Sequence, residues 1–176
     1  ILEIDHTSEF PFGQPQSQPM AAMSGAKRVI YFDTFGKLLF PSLRLAFLIV
    51  PREALARMRE TRNNFDRPPG VPNQIILADF LAYGQFAKHL RRCREAYAER
   101  RDALVGALRR ECGDLASIDE PQHGLHLCAR LPPGSDDVLL SARLCEAGIS
   151  SEPLSYFYAR PTEHRGLLLG YAAHKP

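Results

Sequence analysis

The four cysteines, Cys93, Cys112, Cys128 and Cys145, are too far apart for any Cys-x-x-Cys pair. Such spacing provides neither a zinc signature nor the disulfide framework of a small secreted domain. Buried free thiols in a reducing compartment are the simpler expectation. The sequence also lacks an apolar run of about 18 residues and a charged-then-apolar leader, so no membrane partner is expected and a cytoplasmic location is. No sign of charge dominates: 22 Lys and Arg against 20 Asp and Glu give a formal +2, far from the surplus of a dedicated polyanion binder. There is no Gly-x-Gly-x-x-Gly nucleotide loop, no coiled-coil heptad and no internal repeat. Nor is there an initiator methionine. The chain opens on the strand-like "ILEIDHTSEF" and ends on "LLLGYAAHKP" directly after another strand pattern, so both ends read as cut from something longer.

What is present suffices for a packed core: 176 residues with 45% hydrophobic side chains. Residues 1–4 fit a short strand, and "PFGQPQSQPMAAMSG" after them reads as an irregular loop. "KRVIYFDTF" (27–35) has a β-branched and aromatic centre and predicts a strand. "LRLAFLIV" (43–50) is a nearly unbroken apolar run, the pattern of an interior strand covered on both faces. A helix is expected from Pro51, a break at "DRPPGVP", and a second helix capped by Asn73 and closed by Gly84. From residue 85 to 110, Phe86, Leu90, Cys93, Tyr97, Leu104 and Leu108 recur at helical spacing. The arginines on the other faces of that helix predict a solvated surface. The remainder reads as a small α/β unit: "HGLHLCARL" a strand, 135–148 a helix capped by Ser135 or Asp136, 149–157 a strand running into a loop, and "RGLLLGYAA" a last strand. The boundaries are a partial sheet domain over 1–84, and a long helix with a small carboxy-terminal domain over 85–176.

Between the two apolar strands of the first half stands Lys37, after a strand and a glycine, with Ser42 and Arg44 following. An amine beside a guanidinium and a hydroxyl can form a Schiff base with a carbonyl cofactor whose phosphate the other two hold. The same pattern also describes a solvated loop lysine. His89, His123 and His126 lack the spacing of a ligand cluster, so no metal is expected. Tyr156 and Tyr158 in "LSYFYARP" fit aromatic packing.

The run "VIYFDTFGKLLFPSLRLAFLIVP" resembles the lysine segment of fold type I pyridoxal-phosphate enzymes, specifically the aminotransferase-like domain of MocR-type GntR-family transcriptional regulators. Their usual form is valine-isoleucine-tyrosine, then glycine-threonine-phenylalanine-serine-lysine, then "LFPSLRLGYLV". The likeness continues through "GQFAKHLRRCREAYAERRDALVGAL", "GLHL" and "RGLLLGYA", covering essentially the whole chain. It implies an α/β fold: a remnant of the large-domain sheet plus the small carboxy-terminal domain, without its last helix. It implies pyridoxal 5'-phosphate as cofactor, Lys37 as the residue that carries it as an aldimine, Arg44 on its phosphate beside the Ser42 hydroxyl already noted, and Arg165 on the carboxylate of an amino acid or other amino compound. Tyr156 and Tyr158 match a region near the substrate entrance. It also implies a homodimer, and DNA binding only through a winged-helix domain that this chain does not supply.

Departures from that pattern at Ile4, His6 and Gly36 weigh on the cofactor site. Laid over the usual isoleucine-isoleucine-glutamate-aspartate-aspartate-tyrosine-aspartate-serine-glutamate-phenylalanine, Ile4 stands where an aspartate pairs with the pyridine nitrogen, and His6 where a tyrosine bonds the ring oxygen. Asp5 and Glu9 fall at neighbouring positions. Gly36 replaces the serine beside the lysine. Losing a charge-assisted bond of roughly 1.5–3 kcal/mol at Ile4 weakens both cofactor binding and electron withdrawal. The phosphate-binding loop, the stacking aromatic and a ring-oxygen asparagine of such enzymes lie upstream of this segment. Two other readings therefore stand beside a regulator's sensing or processing domain: a degenerate, non-catalytic fragment that packs or dimerises, and a stand-alone class I/II aminotransferase. A nucleic-acid role for the arginine-rich helix ranks behind these.

Overall fold

The computed structural model describes residues 1–5, 8–13, 18–23, 27–65 and 70–173. The chain divides into two units, Ile1–Pro11 with Pro15–Arg92, and Phe12–Gln14 with Cys93–Pro176.

The first unit holds a three-stranded sheet in the order β1 (Leu2–Ile4), β2 (Ile30–Thr34), β3 (Ala46–Ile49). β1 runs parallel to β2, pairing Leu2 with Ile30 and Ile4 with Phe32, and β3 runs antiparallel, pairing Thr34 with Ala46. β2 is shorter than predicted because Phe35 already begins a one-turn helix, α1 (Phe35–Leu38), which the Thr34 hydroxyl caps by accepting from Gly36 N at 3.2 Å. Among the described residues β3 stands at the end of this sheet, and Leu48 and Ile49 are half exposed where the apolar run led to the expectation of an interior strand covered on both faces. Apolarity in that run states a demand for cover, not the identity of what covers it. Leu43, Leu45 and Leu77 form the unit's buried cluster, with Phe35 and Leu39 against it.

Pro51 precedes a single 3-10 turn, Arg52–Ala54, before α2 (Leu55–Phe65), so the helix proper starts later than predicted. α3 (Val71–Ala82) starts two residues before Asn73, with Gly70 at its N-cap position. Asn73 is therefore not the cap. Its Nδ2 donates to Leu43 O at 3.3 Å, tying α3 to the loop ahead of β3. Gly84, at φ +69°, takes the left-handed turn that separates α3 from α4 (Gln85–Cys112). His89 on α4 bonds Leu38 O at 2.8 Å through Nε2, a satisfied histidine rather than a ligand. Among the described residues no group of side chains could hold a metal ion, and no helix is long and apolar enough to cross a membrane.

The second unit is built on a four-stranded antiparallel sheet, order β4-β5-β7-β6: β4 (Ser117–Asp119), β5 (His126–Leu131), β6 (Glu152–Pro153) and β7 (Arg165–Gly170). β4 was not predicted from sequence. The expected strand over 149–157 shrinks to two residues followed by a 3-10 turn, Leu154–Phe157. Phe12, Val105, Leu127 and Tyr171 form the buried core, and Tyr97, Leu104 and Leu108 from α4 pack on it as the helical spacing required. Asp136 caps α5 (Asp137–Glu146), accepting from Leu139 N at 2.9 Å, and Gly148 at φ +82° ends it. The cysteines are all free, but none is fully buried: Cys93, Cys112 and Cys128 are partly covered and Cys145 is exposed. Helix position alone gave no measure of how deep each thiol lies.

Candidate functional site

Because β1 and β2 are parallel and β3 returns antiparallel, one edge of the first sheet gathers the ends of β1 and β2 and the start of β3. Ile4, the Thr34–Lys37 turn and Arg44 all belong to that edge. The loop that carries the cations is closed tightly: Phe35 N donates to Leu45 O at 3.0 Å, and the Thr34 hydroxyl donates to the same carbonyl at 3.1 Å. Lys37 lies in the last turn of α1. Ser42 follows in a 3-10 turn, Pro41–Leu43, and Arg44 closes that turn in the left-handed region at φ +54°. Arg44 is the one non-glycine with positive φ among the described residues. Holding a non-glycine residue there is costly and persists where surrounding structure over-determines it, here the Arg44 N to Pro41 O and Leu43 N to Phe40 O bonds. Lys37, Ser42 and Arg44 are all exposed, and their side chains have no hydrogen-bond partner among the described residues. Three of the residues named from sequence thus stand exposed on one loop between β2 and β3.

Ile4 stands on β1 with 53% of its surface exposed, and it supplies neither charge nor acceptor. Its neighbour Asp5 does not take its place. The Asp5 carboxylate receives the Tyr31 hydroxyl at 3.0 Å, Ser8 N at 3.0 Å and the Ser8 hydroxyl. Burial first, and then this carboxylate, push the Tyr31 phenol well above its ordinary range, so it stays a donor to Asp5 at any physiological pH. His6 lies outside the described residues. At Gly36 an added Cβ would meet Thr34 Oγ1 at 3.4 Å and Pro41 Cα at 3.7 Å, ordinary contact distances, so the backbone there does not demand glycine.

Arg165, the predicted carboxylate holder, opens β7 in the second unit. Its Nη1 donates to Thr162 O at 2.5 Å and His164 O at 3.2 Å. Nε and Nη2 have no hydrogen-bond partner among the described residues. Beside it, Tyr158 stacks on His164 with ring centroids 5.4 Å apart, and Tyr156 is largely exposed.

Two carboxylates escaped sequence reasoning. Asp33, at the position of the family's usual glycine, is buried in β2 and its Oδ1 accepts from Thr34 N at 2.6 Å, bracing the residue that caps the lysine's helix. Asp137 is 1% exposed and accepts from Ser155 N at 3.0 Å, the Ser155 hydroxyl at 2.8 Å and Gly166 N at 3.3 Å. Burial acts to raise its pKa, but the bonds from Ser155 and Gly166 and the nearby Arg165 charge outweigh it, and the net shift is downward. An alignment to the glycine column could have flagged Asp33. Nothing in "GSDDVLL" separates the buried aspartate from the capping one.

The family described as aminotransferase class I and II matches residues 8–171. A curated relative named "Probable rhizopine catabolism regulatory protein MocR", from Rhizobium meliloti, is 38% identical over all of this chain, which spans 36% of that relative. An HTH-type transcriptional regulator of Bacillus subtilis, YhdI, named as uncharacterized, is 33% identical over 97% of the chain and 36% of its own length. Among solved structures, LysN, an alpha-aminoadipate aminotransferase from Thermus thermophilus complexed with N-(5'-phosphopyridoxyl)-L-leucine, superposes with a TM-score of 0.85 at 30% identity. That match covers 97% of this chain and 44% of the enzyme. The chain is thus homologous to MocR-type GntR-family regulators over an aminotransferase-like region that is a minority of the regulator, and its two sheets are a partial fold type I architecture. It belongs to the aminotransferase class I and II family.

Proposed function

We propose that this chain is the carboxy-terminal part of a pyridoxal-phosphate-binding, aminotransferase-like domain of a MocR-type regulator, one that receives an amino acid or related amino compound. In this reading the partial large domain is 1–84, and 85–176 is the linking helix and small domain. The supporting observation is the unpartnered trio at one sheet edge: an exposed amine, a hydroxyl and a guanidinium, delivered by a loop whose two ends share Leu45 O. Ligands of α/β sheets gather at the carboxyl ends of parallel strands, which is where this trio stands. Its chemistry fits the cofactor's aldehyde and phosphate. It does not fit the ring nitrogen, because Ile4 offers nothing to a pyridinium.

Bound there, pyridoxal phosphate supplies an aldehyde for amines and a ring that draws electron density. Arg44 and Ser42 would hold its phosphate by charge and hydrogen bond. Lys37 Nζ would be the amine that holds the aldehyde and, when free, the base that moves a proton to and from the carbon bearing the substrate's amino group. Arg165 would hold the substrate carboxylate, and the resemblance gives His6 the place of the ring-oxygen donor. A homodimer in the cytoplasm, touching DNA only through a separate winged-helix domain, completes the proposal.

The test is an absorbance titration of the purified protein with pyridoxal phosphate. A near-visible band that borohydride abolishes and that Lys37→Ala lacks supports the reading; no band in the wild-type chain sinks it. A second reading, a degenerate domain that acts only by packing, is favoured by one observation: Ile4 has no carboxylate and Asp5 is committed to Tyr31 and Ser8. The same titration separates the two.

A further inference from the structure

Asp137 is a carboxylate buried to 1% exposure at the first residue of α5, and every bond to it comes from another segment. Its Oδ2 receives two backbone N–H groups, from Ser155 in the turn after β6 and from Gly166, the residue immediately after Arg165. Its Oδ1 receives the Ser155 hydroxyl. One carboxylate therefore pins the aromatic turn Leu154–Phe157 and the first step of β7 to the start of α5. Its place at a helix amino terminus, where backbone N–H groups converge, lowers the cost of burying the charge. The strand has no slack at that step: a Cβ on Gly166 would stand 2.8 Å from Ala129 O and 3.2 Å from Leu154 Cδ2. Arg165 is thus anchored from behind through its neighbour's N–H, while its own Nη1 is folded onto Thr162 O and His164 O. What remains is Nε and Nη2, two donors side by side with no hydrogen-bond partner among the described residues, the fork that pairs with a carboxylate.

We propose that Asp137 is a positioning residue for carboxylate recognition: its carboxylate, held by Ser155 and Gly166, fixes the start of β7 so that Arg165 presents its two free donors to the carboxylate of an amino-acid ligand. This rests on the reading of Arg165 as the carboxylate holder. Neutralising the anchor leaves the same number of heavy atoms but removes the charge that strengthens both backbone N–H bonds to Oδ2 and leaves one acceptor oxygen in place of two, so the peptide after Arg165 is held less firmly. The loss falls on the bond that needs two donors aligned, not on the phosphate or the ring.

The probes are N-(5'-phosphopyridoxyl)-L-leucine and its L-leucinamide counterpart, which differ only in the carboxylate. Calorimetry gives the Kd of each for the whole chain, and the amide-to-acid ratio isolates the carboxylate contribution. In the wild type the acid binds roughly tenfold or more tightly than the amide, as a charge-assisted pair predicts. Arg165→Ala brings the ratio to about one, Asp137→Asn lowers it severalfold with the amide Kd unchanged, and the double variant matches Arg165→Ala alone. Equal weakening of both probes in Asp137→Asn, or an unchanged ratio, overturns the positioning role while leaving Arg165 in place. A wild-type ratio near one, no binding of either probe, or a ratio indifferent to Arg165→Ala overturns the reading of Arg165 and the inference with it. Should Asp137→Asn fail to fold, Ser155→Ala removes only the hydroxyl donor; a partial fall in the ratio supports the anchor, and an unchanged ratio overturns it.

Discussion

Restoring a carboxylate at Ile4 isolates the largest departure from the family pattern. Ile4 sits on β1 with 53% of its surface exposed, so replacing it forfeits only about half of the 1.5–3 kcal/mol that full burial of such a side chain brings, or roughly 1 kcal/mol of stability. The backbone pairing of Ile4 with Phe32 is untouched. If the pyridine ring lies against this strand end, Ile4→Asp adds a charge-assisted hydrogen bond of roughly 1.5–3 kcal/mol, tightening pyridoxal-phosphate binding about ten- to a hundredfold. Leu2, two residues back on the same face and 60% exposed, provides the control. A carboxylate there stands roughly 6–7 Å away along the strand and cannot reach the same nitrogen. Absorbance titration of the wild type, Ile4→Asp and Leu2→Asp measures the three affinities. An unchanged or weaker Kd in Ile4→Asp would falsify the placement of the ring. Equal tightening in Leu2→Asp would reduce the effect to general electrostatics.

Other perturbations test the fold beneath the site. Leu127→Ala opens the second unit's core, where Leu127 is 1% exposed among Phe12, Val105 and Tyr171, and should cost about 3–5 kcal/mol in chemical denaturation with little change in phosphate-side affinity. Gly166→Ala should destabilise by about 1–3 kcal/mol, because its Cβ meets a backbone oxygen at 2.8 Å. Gly106→Ala in α4, where no atom lies within 4 Å of the new methyl, should instead stabilise by about 0.5–1 kcal/mol. For pH, the Asp137 carboxyl is lowered from 3.8, so its contribution is fully present above that value and disappears as pH falls through the lower folded value. Denaturation midpoints below about pH 4 should therefore fall more steeply in the wild type than in Asp137→Asn; parallel curves count against the assignment.

How much was legible depends on the range over which each cause acts. Three- and four-residue spacing fixed the face of α4 that meets the core, since Leu104 and Leu108 need only helical geometry to align. The α/β character and the grouping of Lys37, Ser42 and Arg44 in one loop followed from local pattern and resemblance. α3 had no such legibility: apolar almost all round, it leaves Ile75 and Ile76 more than half exposed, and no period could say which face turns inward. Asn73 looked like a cap because caps are local, yet its partner is Leu43 O, thirty residues earlier.

Local chemistry was enough for the amphipathic long helix, the turn glycines at Gly84 and Gly148 and the amine, hydroxyl and guanidinium carried between two strands, because each depends on neighbours a few bonds away. Three-dimensional packing was needed to leave Leu48 and Ile49 of β3 half exposed, to commit Asp5 to Tyr31 and Ser8, and to bury Asp137 rather than Asp136 beneath the start of β7. These outcomes depend on which backbone donors are brought from distant segments to a desolvated carboxylate or a sheet edge. Adjacent identical residues carry no record of that difference.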